Sequence, residues 1–63
     1  MARIKLTDFT TGKTTIKDYC STLKTYILAN FQAWGWYNIQ KDGKMFFISD
    51  KFTGELLYAV QQA

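Results

Sequence analysis

The sequence predicts an α+β domain: one helix packed on one face of a small, mostly antiparallel sheet of three to four strands, in the order β-(β)-α-β-β-β. Three observations point there. Apolar residues recur at helical spacing through residues 15–34, and strand-like runs follow through residues 36–61. Asp42-Gly43 and Asp50–Gly54 punctuate those runs as turns. At 63 residues, the chain is read as a single domain, 1–63.

Residues 3–8 alternate, with Ile4 and Leu6 set against Arg3, Lys5 and Thr7, which describes a half-buried strand with a basic outer face. Thr15-Ile-Lys-Asp18 has the form of a capping box, so the helix is expected to begin there. Its apolar stripe would run through Ile16, Tyr19/Cys20, Leu23, Ile27, Phe31 and Trp34, with Gly35 as the left-handed stop. The last three strands are read at Trp36–Gln40, Lys44–Ser49 and Glu55–Gln61, with Asp42-Gly43 as a short hairpin signal.

One internal echo stands out. Leu6-Thr-Asp-Phe-Thr-Thr-Gly-Lys13 and Ile48-Ser-Asp-Lys-Phe-Thr-Gly-Glu55 share the pattern aliphatic, hydroxyl, Asp-x-x-Thr-Gly, charged. Asp and Thr side chains bond nearby backbone and Gly closes the turn, so both segments are read as one turn used twice. This implies a short second strand at Lys13–Thr15.

Composition narrows the chemistry. The chain has no His and one Cys, which excludes a Ser-His-Asp triad, leaves Cys20 without an intramolecular disulfide partner, and supplies too few ligands for a structural zinc site, so no metal is expected. Gly12-Lys13-Thr14 precedes the helix as a phosphate loop would, but Thr7 stands where that loop needs a further Gly. Asp8, Asp42 and Asp50 are explained by turns, and no carboxylate pair suggests acid–base work. No enzyme activity and no cofactor are expected. The N-terminus lacks a secretory apolar core and no run spans a bilayer, so a cytoplasmic protein is expected, with neither a membrane nor a small-molecule substrate as partner.

The aromatic content, two Trp, four Tyr and five Phe, carries the functional expectation. Both parities of the last three strands hold large apolar residues. A three-residue loop at Lys41–Gly43 and a four-residue loop at Lys51–Gly54 would put Tyr37, Ile39, Met45, Phe47, Leu56, Tyr58 and Val60 on one face. Trp36, Phe46, Ile48, Leu57 and Ala59 would lie on the other; a one-residue slip mixes the two sets. One helix covers one face, so the second is expected to stand open unless Phe9, Phe52 or the chain ends fold over it.

The resulting expectation is a small interaction protein, an accessory regulator or inhibitor of the kind phages and plasmids carry. It would dock a protein partner, or a second copy of itself as a homodimer, through Trp36, Met45, Phe46, Phe47 and Leu57. The alternative is a nucleic-acid module on the same face, using Arg3, Lys5 and Lys44, with Lys13, Lys17 and Lys41 as further candidate anion contacts. The net charge of +3 permits either.

Overall fold

Local pairing decides the first half of the chain. A computed structural model, describing residues 1–63, places β1 at Ala2–Asp8, β2 at Lys13–Tyr19, α1 at Leu23–Asn30, a 3₁₀ turn at Gln32–Trp34, β3 at Tyr37–Asp42, β4 at Met45–Asp50 and β5 at Leu56–Gln62. The α+β class and its element order are as the sequence predicts. The sheet has five strands rather than three or four, all pairs antiparallel, in the order β2-β1-β5-β4-β3.

The largest correction concerns residues 15–22. They do not open the helix. Residues 15–19 belong to β2, which pairs with β1 from Ala2↔Tyr19 to Asp8↔Lys13 without a break. Thr14, Thr15 and Ile16 are consecutive β-branched residues, stiff at χ1 and better suited to a pleated surface than a helix. The tight turn at 9–12 then closes the pairing at small entropic cost. The helix begins instead at Thr22, whose Oγ1 accepts from the Thr25 N–H at 3.2 Å. Cys20 therefore lies exposed in the β2–α1 connection rather than on a buried helical stripe. Ile16, also expected in that stripe, is 52% exposed on the sheet. Gly35, at φ +73, ends the 3₁₀ turn in the left-handed conformation expected of it.

Two turns decide which residues face the helix. The β3–β4 connection is the two-residue loop Gly43-Lys44, with Asp42 opposite Met45. Gly43 takes φ +63 at the first central position, as primed hairpin turns require. The loop is thus one residue shorter than the one weighed above, which moves Phe46 and Ile48 onto the face of Tyr37 and Ile39. The Lys51–Gly54 loop has its expected length, but a bulge follows. Ser49 pairs with Leu56 and Ile48 with Tyr58, which leaves Leu57 unpaired.

The result is one covered apolar face. Ile4, Ile48 and Val60 are fully buried in a cluster with Tyr26, Ile27 and Phe31 from the helical segment. Leu6, Tyr19, Tyr37, Ile39, Phe46 and Tyr58 pack around it. Phe31 joins the halves, its ring 5.5 Å from Tyr37 and 5.4 Å from Tyr58.

This placement separates two isoleucines that a helix at 15–34 would have treated alike. Ile48→Ala is expected to cost about 2–5 kcal/mol through the lost transfer energy and the cavity left behind. Ile16→Ala, on a half-exposed sheet position, is expected to cost less than about 1 kcal/mol. Urea unfolding of both variants checks the difference.

Candidate functional site

The two Asp-x-x-Thr-Gly segments form matching turns. In the first, Asp8 Oδ1 accepts from the Thr10 N–H at 2.8 Å and the Thr10 hydroxyl at 2.6 Å. In the second, Asp50 Oδ1 accepts from the Phe52 N–H at 2.7 Å and the Thr53 N–H at 3.1 Å. Each Gly N–H donates to its Asp carbonyl at 2.8 Å. Each following N–H donates to the Thr hydroxyl, at 3.3 Å from Lys13 and 3.2 Å from Glu55. Both glycines sit near φ +76, at 75 and 77 respectively.

The turns close through Asp, Thr and Gly alone, so neither needs its phenylalanine. Because β1 and β5 are neighbours, the two turns lie side by side, with the Phe9 N–H donating to the Leu57 carbonyl at 2.9 Å. The Lys51 N–H donates to the Trp36 carbonyl at 3.0 Å and ties the second turn to the entry of β3. One end of the sheet therefore gathers Phe9, Leu56, Phe52, Trp36 and Trp34, all exposed large apolar side chains. Trp34 and Trp36 are 59% and 60% exposed, and their rings lie 5.8 Å apart at 36°. Gly35 between them permits the left-handed step that sets both indoles beside each other. Phe52 projects at 80% exposure rather than folding over the sheet.

Much of the exposed apolar surface thus collects on a rim, while Ile16, Met45 and Phe47 lie on the open sheet face. The five anchors expected from sequence divide among several surfaces. Trp36 is on the rim. Phe46 faces the helix and packs on the core. Met45 and Phe47 face the other way, beside the buried Ala59, and Leu57 is the bulge residue. Trp34 and Phe52 are rim residues that the sequence pattern does not single out, because helical spacing assigns Trp34 to a buried stripe and Phe52 reads as part of a turn or as a cover for the sheet.

The cations divide as well. Ile4 and Leu6 do face the helix, so Arg3 and Lys5 lie on the open face with Phe47, as expected. That face also carries Asp18, registered opposite Arg3, and Asp42, opposite Met45. Its charges cancel. Lys13, Lys17 and Lys41 share the parity of the helix-facing side, and Lys44 is in the β3–β4 turn. The Lys17 Nζ lies 4.9 Å from the Tyr26 ring centroid.

Two groups titrate away from their ordinary values. Hydrogen bonds from the Thr10 hydroxyl and N–H hold the Asp8 carboxyl below 3.8. Burial, followed by the negative charge of Asp8 registered opposite, pushes the Tyr58 phenol above 10.0. No three His, Cys, Asp or Glu side chains gather as metal ligands. No helix is long and apolar enough to cross a membrane. Comparison with family models, curated proteins and solved structures gives no match, so the reading of function rests on this geometry.

Two outcomes follow from the turns. A depressed carboxyl stabilises the fold above its unfolded value and loses that contribution as pH falls through its folded value. NMR titration should therefore place the Asp8 midpoint below 3.8, and Thr10→Val should return it toward 3.8. Gly35→Ala forces a side chain into the left-handed region, at a cost of about 1–2 kcal/mol. Near-ultraviolet circular dichroism should then show the two indoles parting.

Proposed function

We propose that this chain is a non-enzymatic interaction protein that docks a protein partner through its aromatic rim. The observation that carries the reading is the exposed pair Trp34 and Trp36, packed on each other outside the core at the end of the sheet that also carries Phe52. Tryptophan dominates the energetics of docked surfaces because it buries a large area with few rotors to freeze. The rim is rigid where it needs to be. Its backbone is held by the twin turns and by the Lys51–Trp36 bond, so docking orders little new chain.

A second copy of the chain is among the partners the rim would accept. A reducing cytoplasm suits the exposed free thiol of Cys20. Nucleic acid is the weaker reading, because Asp18 and Asp42 offset Arg3 and Lys5 on the open face.

The test is a double variant, Trp34→Ala with Trp36→Ala. Both side chains are exposed, so the fold should persist by circular dichroism. Affinity for the partner recovered with the wild-type chain should fall by about 30-fold or more, the equivalent of about 2 kcal/mol. It should change little between about 50 and 200 mM salt, whereas phosphate contacts weaken steeply over that range. Salt-sensitive binding of single-stranded DNA or RNA that survives the double substitution would overturn the proposal.

A further inference from the structure

A second surface lies on the helix side of the sheet. Five strands about 4.8 Å apart span roughly 19 Å between the axes of β2 and β3, while one helix with its side chains is about 10 Å wide. A single helix therefore covers about half of this sheet. Helix α1 leans toward β2, with the Tyr26 ring edge-on to Tyr19 at 5.2 Å. Phe31 covers the Tyr37 end of the other half, and the end of β4 and β3 that carries Phe46, Ile39 and Lys41 is left as a groove of about 540 Å³. Its floor is apolar: Leu23 and Ile27 from α1, Ile39 from β3 and Phe46 from β4. At the β3–β4 turn it continues into a hollow of about 420 Å³ beside Lys44.

Every charged residue along this groove is a lysine: Lys24 on α1, Lys41 on β3 and Lys44 in the turn. The Lys41 Nζ lies 5.8 Å from the Phe46 ring centroid, its charge held over the floor. Thr22, the N-cap of α1, also lines the groove, so the positive end of the helix dipole adds to the same field.

We infer that this groove takes an acidic amphipathic helix from a partner protein. The free width matches one helix, and the branched aliphatic floor suits Leu-type anchors. Three lysines with no acid among them call for Glu or Asp on the flanks of the incoming helix. A nucleic acid would need flat rings or arginine planes for its bases, and the floor offers only Phe46. The site is separate from the aromatic rim and does not depend on the rim's role.

The probe is a synthetic, fluorescein-labelled helical peptide with Leu at i, i+3, i+4 and i+7 spacing and Glu elsewhere. A shuffled peptide of the same composition and an oligothymidylate are the comparisons. The patterned peptide should bind by fluorescence anisotropy and shift the NMR signals of Ile39 and Phe46. Lys24→Glu combined with Lys41→Glu should weaken it by about tenfold or more, since two exposed charges are reversed at the contact. The Trp34→Ala, Trp36→Ala variant should bind it as the wild type does, which separates this site from the rim. The inference is overturned if the patterned peptide does not bind, or if the shuffled peptide binds equally. It also fails if the lysine reversals have no effect or the tryptophan substitutions abolish binding. Oligothymidylate binding that the lysine reversals abolish, with the peptide indifferent to them, would make the groove a phosphate site instead.

Discussion

Side-chain parity in the β4 strand governs this molecule. Both parities of Met45–Asp50 are apolar, so burial alone does not choose between Met45 with Phe47 and Phe46 with Ile48. The choice is made at Gly43, whose positive φ allows a two-residue turn and fixes Asp42 opposite Met45. The bulge at Leu57 then brings Tyr58 and Val60 onto the same side as Ile48. With both adjustments in place, Ile4, Ile48 and Val60 meet beneath Ile27 and Phe31. A shift of one residue at either point would turn half the core toward water.

A core of seven buried residues is small even for a chain of this size. It is supported by aromatic contacts reaching outward from Phe31 to Tyr26, Tyr37 and Tyr58. Those contacts use a helix of only 8 residues, because β2 claims the segment that could have extended it. The short helix is the origin of both exposed surfaces. It leaves the Ile39–Phe46 end of the β4–β3 half uncovered. It also ends before Trp34, so that the chain must turn through Gly35 and present both indoles at the edge.

The α+β class and the element order were legible because they rest on strong local signals. The Asp-x-x-Thr-Gly echo was legible down to its hydrogen bonds, since that turn is closed by its own side chains. The start of the helix was misread for a physical reason. Thr15-x-x-Asp18 and Thr22-x-x-Thr25 both place a hydroxyl at an N-cap, and only hairpin pairing with β1 selects the second. Gly43-Lys44 and the Leu57 bulge were unreadable in a similar way. Turn length and bulges are set by how strands twist and pair, and a single-residue difference leaves no mark on composition. The anchor set inherited that error, which is why Phe46 belongs to the core and Phe52 to the rim.

The same parity that segregates apolar residues also segregates charge, and this is where fold and function meet. On the open face, Arg3 and Lys5 alternate with strand neighbours that include Asp18 and Asp42, so the surface is mixed and nearly neutral. That face also carries Ile16, Met45 and Phe47, so its charges are balanced while its apolar content is not. On the helix side, the acids Asp8 and Asp50 are drawn to the twin turns at one end, where their carboxylates are used up by backbone N–H groups. Lys24, Lys41 and Lys44 remain toward the other end with no acid beside them in the groove. The turns that hold the aromatic rim in place thus also remove the negative charge from the groove. The short helix exposes both surfaces, one apolar and one cationic, and the twin turns hold Asp8 and Asp50 away from the cationic one.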